Sequence, residues 1–355
     1  MRHTHMSFDT YLAAAPKAEL HLHLEGAIRP STLLKLARRN DAALPCSTLD
    51  ELRDWFRFRD FAHFVEVYGA ISRCLRTAED YELIAYELAE ELAQQNARYA
   101  EVSFSPALQS RMGVSPDTYL LGLSRARTRA RAELGVDLAW IFDLGRAWQG
   151  GESQTQRWAA HTVDLAIEAR HEGVVALGLG GPEVGHPPEP FAALFERGRA
   201  AGLHSAPHAG ELVGPASVKG AVEALGAERI AHGVRAIEDP DLVAELAARR
   251  IALDLCPTSN LRLGVYPSLL EHPLRRLHDA GAIITINSDD PALFGTNLNT
   301  EVGLLANRFR LDLDSIDEIL LNGIRHSFLP AAEKQRVELE YRVELEALKA
   351  VHLQL

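Results

Sequence analysis

The chain has 355 residues, 47% of them hydrophobic, enough to bury a large core either as one α/β barrel or as two ordinary domains. Its 37 basic residues against 49 acidic ones leave a net charge of −12, so there is no uniform basic surface to neutralise a phosphate backbone, and a nucleic-acid partner is not expected. Cys46, Cys74 and Cys256 are odd in number, far apart and without a CxxC pair, which excludes a disulfide framework or a thiolate zinc site and points to a reducing compartment.

Residues 1–10 lack the apolar core of a secretory signal and read as a mobile tail, with His3 and His5 as tail residues rather than ligands. No apolar run approaches the roughly 20 residues that span a bilayer. The expectation is a soluble, cytoplasmic protein with no membrane partner. Short runs rich in Val, Ile, Leu and Ala then recur eight times, at 18–24, 98–104, 138–144, 174–180, 203–208, 229–232, 251–256 and 283–287. Amphipathic helical patterns separate them, among them 80–96, 116–133, 154–171, 191–201, 215–225, 240–249 and 269–280. Strand alternating with helix predicts an α/β protein with a parallel sheet, and eight repeats close it into a single (β/α)₈ TIM-type barrel spanning 1–355. A doubly wound open sheet is the alternative that periodicity leaves. The connection from 24 to 98 exceeds one loop and one helix, so extra helices over the barrel mouth are predicted there. It contains the aromatic segment 55–61, read either as core or as an apolar lid that keeps water from a reaction. A charged helical pattern at 331–353 is expected to pack on the outside.

The first run contains His21 and His23, two imidazoles that strand alternation turns to one face while Leu20, Leu22 and Leu24 take the other. Alone, such a pair is a weak metal signal. Near the end of the fifth run comes His208-Ala209-Gly210-Glu211, and after the eighth comes Ser288-Asp289-Asp290-Pro291, each of which also reads as ordinary strand termination or helix capping. In a barrel, runs one, five and eight bring three histidines and an aspartate to the carboxyl rim, a set that suits one Zn²⁺ with an open position for water. The same ligands also accept Fe²⁺, Mn²⁺ or Co²⁺. His232, ending the sixth run, adds a base or a charged group beside that metal. A bound water activated near neutral pH makes hydrolysis the natural chemistry. Two-metal hydrolases bridged by a modified lysine on the fourth strand are disfavoured, because 174–181 contains no lysine.

PKAELHLHLEG at 16–26, HAGE at 208–211, AHG at 231–233, CPTSN at 256–260 and SDDP at 288–291 resemble, in order and spacing, the adenosine deaminase family over essentially the whole chain. The resemblance implies that His21, His23, His208 and Asp289 bind a catalytic zinc. It further implies that Glu211 passes a proton to purine N1, that His232 orients or deprotonates the attacking water, and that Asp290 meets N7. Gly181 matches the position whose backbone N–H meets N3. The implied activity is zinc-dependent replacement of the 6-amino group of an aminopurine by oxygen, with a small-molecule partner and with monomer or homodimer left open. The cytidine-type deaminases reach similar chemistry through a PCxxC signature that this chain lacks.

Substrate signals are mixed. Glu25 stands where adenosine deaminases usually carry an aspartate for the ribose 5′-hydroxyl, and adenine deaminases carry glutamate there. Segment 180–188 is similar to adenine deaminases, whereas 294–301 is similar to nucleoside enzymes. The leading expectation is an adenosine-type nucleoside; the alternatives are 6-amino-6-deoxyfutalosine, an intermediate of menaquinone biosynthesis, and free adenine. Phe58 and Phe61 are expected at the substrate, and Arg146 either meets a substrate carboxylate or forms an internal ion pair. A catalytically dead nucleoside-binding scaffold and a single-metal amidase are the readings from other classes; the intact residue set speaks against the first.

Overall fold

The computed structural model describes residues 2–148 and 150–353, with side chains from residue 8 onward, so the side chains of His3 and His5 lie outside the described residues. Nine strands run parallel: β1 (Lys17–His23), β2 (Ala97–Phe104), β3 (Asp137–Gly145), β4 (Val174–Gly180), β5 (His204–Ser205), β6 (His208–Ala209), β7 (Arg229–His232), β8 (Ala252–Leu255) and β9 (Ile284–Ile286). They form two sheets in chain order, β1 to β5 and β6 to β9. The fifth expected run is thus broken into β5 and β6. Pro207, which has no N–H to give a ladder, sits at the break. Its carbonyl still accepts from Ala231 N at 3.0 Å, and Ala206 N still reaches Leu177 O at 3.0 Å, so the two sheets follow one another around a ring. The ring closes where Leu22 bridges Asp289, with His23 N donating to Asp289 O at 2.8 Å and Asp289 N donating to His21 O at 3.1 Å. This is the expected α/β barrel.

The long first connection holds a 3₁₀ turn (Glu25–Ala27) and four helices. Residues 2–14, which include most of the segment expected as a tail, form α1 (Arg2–Ala14). Its end is pinned by fully buried Tyr11, whose hydroxyl donates to Asp317 at 2.5 Å. In the connection, α2 (Pro30–Arg39) begins on a proline, and α3 (Leu49–Trp55) is started by a Thr48/Glu51 capping box. Asp60 caps α4 (Phe61–Ser72), and Thr77 with Asp80 starts α5 (Ala78–Gln94). Those caps fix the phase of α4, which turns Phe61, Phe64, Val65 and Tyr68 to the barrel mouth at i, i+3, i+4 and i+7. At the opposite end, the helix Ala331–His352 packs outside the barrel through buried Tyr341 and Leu345, with the Tyr341 hydroxyl bonded to Lys17 O at 2.8 Å.

The barrel interior is polar below the mouth. Arg229, fully buried, donates to Glu101 and Asp254 at 2.6 Å each, and Thr285 donates to Asp254 at 2.6 Å. Such a core is stable only because each charge is paired and hydrogen-bonded. The three cysteines are unpaired. Among the described residues no helix is long and apolar enough to cross a membrane.

Candidate active site

Alternation along β1 places Glu19, His21 and His23 on the lumen side, and all three are buried. Glu19 accepts from both Ser288 N at 2.8 Å and Ser288 Oγ at 2.5 Å, while Asn287 Oδ1 accepts from Leu20 N at 2.8 Å. These bonds fix the segment after β9 against β1. They hold Asp289 in a left-handed conformation, φ +64°, and His232 at the end of β7 has the same φ of +64°. For side-chain-bearing residues that conformation costs on the order of 1–2 kcal/mol, an investment typical of sites where geometry matters more than stability.

The result is a convergence of donors. His21 Nε2 and His23 Nε2 each lie 3.1 Å from His208 Nε2 and 3.4 Å from Asp289 Oδ1. Tetrahedral bonds of about 2.0–2.1 Å to one zinc ion place ligand atoms roughly 3.3 Å apart, so this set fits the ion. A looser grouping, within 4.8 Å, takes in His232 with His21, His208 and Asp289. His232 Nε2, however, stands 3.8 Å from the other oxygen of Asp289, on the side facing Glu211 at 3.6 Å, so it flanks the tight set.

The remaining ring nitrogens and oxygens are held from behind. Asp143 Oδ2 lies 3.5 Å from His23 Nδ1, and Asp254 O lies 3.3 Å from His21 Nδ1. Ser259 Oγ donates to Asp289 Oδ2 at 2.5 Å, and Asn260 stands between His232 at 3.4 Å and His272 at 3.0 Å. Two glycines make room for carboxylates. A Cβ on Gly26 would stand 1.7 Å from Asp290 Oδ1, and one on Gly178 would stand 1.9 Å from Asp143 Oδ1. Sequence reasoning gave none of these supporting residues a role.

Burial, reinforced by Asp289 and then Glu183, pushes the Glu211 carboxyl well above the usual range. Asp290 is likewise raised well above it by burial, then by Asp289, Glu25 and Glu211. His232 is pushed down to about 3 by burial, with His21 adding to the effect. Burial thus favours the neutral form of all three groups, and a neutral carboxyl is a hydrogen-bond donor. Donors of that kind suit a ligand whose ring nitrogens present lone pairs.

These groups form the floor of a cleft of about 970 Å³, counted out to its mouth. Gly181, Glu211, His232, Asp289 and Asp290 line its base; the α4 face with Leu108, Trp148 and Leu263 makes an apolar upper wall. Phe61 lines it. Phe58 does not: it precedes the Asp60 cap and packs edge-on against Phe64 and Phe294. Glu25 is also outside the lining, fully buried, with its carboxylate accepting from Tyr68 Oη at 2.9 Å. Arg146 lines the cleft, but its guanidinium is spent on backbone, donating to His186 O and His208 O at 2.5 Å each, with neither the substrate-facing fork nor the internal ion pair expected.

The family model described as adenosine deaminase matches residues 16–342. The chain belongs to the adenosine deaminase family. Among relatives of this adenosine deaminase-type aminohydrolase, the aminodeoxyfutalosine deaminase of Streptomyces avermitilis is 42% identical over 340 residues, covering 95% of this chain and 93% of that one. The adenine deaminase of Cupriavidus necator is 39% identical over 334 residues, covering 93% of each. A crystal structure of an amidohydrolase from Burkholderia ambifaria with bound Zn superposes with a TM-score of 0.89 at 27% identity, covering 98% of this chain and 95% of that one.

Proposed function

We propose that this aminohydrolase removes the 6-amino group of 6-amino-6-deoxyfutalosine, giving the 6-oxopurine and ammonia. The observation that carries the choice of substrate is the cleft above the purine site. Besides the polar groups at its base, the cleft is walled by Phe61, Phe64, Tyr68 and Trp148, apolar surface against which the rest of a nucleoside can lie. Arg111, exposed and outside the cleft lining, holds its guanidinium 4.6 Å over the ring of the lining residue Trp148 and takes no carboxylate among the described residues. An aromatic carboxylate at the far end of a nucleoside suits that pairing. The 42% identity to an aminodeoxyfutalosine deaminase supports the same reading. A plain adenosine-type nucleoside, the leading expectation from sequence, finds no counterpart in the two relatives above.

In this reading His21, His23, His208 and Asp289 hold one zinc ion, which when bound supplies a water activated at neutral pH. Glu211, protonated, gives its proton to N1 as oxygen adds at C6, which makes that carbon more electrophilic. Neutral His232, 3.6 Å from Glu211, accepts a proton from the attacking water. Asp290 donates to N7 and the Gly181 N–H to N3, so three sides of the purine are fixed as the proton held by His232 passes to the departing amine, the C6–N bond breaks to release ammonia, and the C6 hydroxyl returns a proton to Glu211.

The adenine reading has two observations in its favour, the 39% identity to an adenine deaminase and the burial of Glu25 behind Tyr68, which removes the acid that a ribose 5′-hydroxyl would meet. Ammonia release by zinc-loaded protein from 6-amino-6-deoxyfutalosine, adenosine and adenine, compared as kcat/KM, separates the three. The proposal expects the futalosine derivative to lead by at least about 100-fold. A lead for adenine or adenosine overturns the substrate assignment, and no ammonia from any of them overturns the chemistry.

A further inference from the structure

Glu183 is a buried carboxylate, 5% exposed, that meets no Lys or Arg at ion-pair distance among the described residues. All its hydrogen bonds come from backbone. Oε1 accepts from Gly210 N at 2.6 Å, and Oε2 accepts from Leu212 N at 2.6 Å and from Val213 N at 2.8 Å. The loop so gripped is the one that carries Glu211. Its carbonyls are held from the other side by Arg235, whose N donates to Gly210 O at 2.9 Å and whose guanidinium donates to Leu212 O. His208, at the loop's start, has its carbonyl fixed by Arg146.

We propose that Glu183 is the positioning residue for the proton donor of the deamination: its carboxylate organises the N–H groups of Gly210, Leu212 and Val213, which flank Glu211, so that Glu211 is aimed at the purine before substrate arrives. The inference rests on the proposed role of Glu211, but on no particular aminopurine. A backbone loop with three N–H groups, those of Gly210, Leu212 and Val213, drawn to one anion is held to one arrangement on both sides of Glu211, whereas the same loop without the anion has several. The turn into Glu211 is made by Gly210, at φ +69°, a residue whose own side chain fixes nothing. Two residues before Glu183, Gly181 forms part of the cleft base, so one short segment both floors the ligand site and sets its acid.

A glutamine at 183 tests the carboxylate specifically. Its amide has one acceptor oxygen, so either Gly210 N–H or the Leu212 and Val213 pair would face an NH₂ group, donor against donor. Two readouts are independent of each other. The first is amide hydrogen exchange over 208–214 in the zinc-loaded protein, which Glu183→Gln should speed at least about tenfold while the rest of the barrel is unchanged. The second is turnover of whichever of the three aminopurines the wild type deaminates. There kcat should fall roughly 10- to 100-fold with KM within about threefold, and affinity for a 6-hydroxy-1,6-dihydropurine analogue should fall in parallel with kcat. Zinc content should hold. Glu183→Asp, which keeps the charge but is one methylene short of the loop, should show the same pattern and serves if the glutamine variant does not fold. Wild-type exchange rates in both variants would overturn the proposal even if no substrate were found. So would a KM effect with intact kcat, which would assign Glu183 to the purine floor instead. Wild-type protein that deaminates none of the three, with faster exchange in the variants, would sink the substrate reading and leave the clamp standing.

Discussion

Asp143 Oδ2 stands 3.5 Å from Nδ1 of His23, behind the ring whose other nitrogen joins the metal-binding set. A carboxylate in that place fixes the imidazole tautomer and raises its basicity as a ligand. Asp143→Asn should therefore weaken zinc binding about 10- to 100-fold, measured by competition with a chelator. Unchanged affinity would mean that Asp143 only fills space next to Gly178.

Gly26 is the residue that lets Asp290 stand where it does. A methyl group at 26 would meet Asp290 Oδ1 at 1.7 Å and its Cβ at 2.6 Å, so the carboxylate must leave its place. Gly26→Ala should lower kcat/KM about 100-fold, as a displacement of about 1 Å does at a reacting centre, in protein whose circular dichroism is unchanged. Activity within tenfold of wild type would show that Asp290 need not sit there.

Arg111 should decide between substrates. If its guanidinium over Trp148 receives a distal carboxylate, Arg111→Gln raises KM for 6-amino-6-deoxyfutalosine about tenfold and leaves adenosine kinetics alone. Equal effects on both would make it a structural partner of Trp148.

Lys17, fully buried at the opposite end of the barrel from the site, donates Nζ to Ala13 O at 3.3 Å, Ala15 O at 2.6 Å and Gln95 O at 3.1 Å. Burial pushes its ammonium down to about 7, with Arg98 acting the same way, while in the unfolded chain it titrates near 10.4. Between those values the unfolded chain holds the extra proton, so this group makes stability rise with pH, by up to about 1.4 kcal/mol per pH unit. Urea unfolding at pH 7.5 and 9.5 should show the wild type gaining relative to Lys17→Met, which also loses about 1–3 kcal/mol from the unserved carbonyls. Parallel pH profiles would contradict the assignment.

The barrel was legible because period-two apolar runs and period-3.6 helices alternate, and a fixed alternation leaves few folds. The His21/His23 pair was legible for the same reason: a strand turns every second side chain to one side. That logic ends where the strand does. Glu25 falls in the 3₁₀ turn directly after β1, which rotates it away from the cleft and behind Tyr68. Phe58 and Phe61 look equivalent in sequence, but the Asp60 cap starts α4 between them, and only residues in the helix take its phase. Residues 1–10 carry too weak a pattern to announce α1, which depends on contacts such as Tyr11 with Asp317, 306 positions away. Asp143, Glu183 and Ser259 act through distance and direction alone, which spacing does not encode.

The two sheets of the barrel have two seams, one at Pro207 between β5 and β6 and one where β1 meets the segment after β9. His21 and His23 belong to one sheet, His208 to the near edge of the other, and Asp289 follows that sheet's far edge. A cation held by these four side chains cross-links both sheets at once. The site would then also be a tie across the ring: a bound cation adds to the backbone hydrogen bonds at both seams, and its removal leaves the rim around the cleft held by those bonds alone.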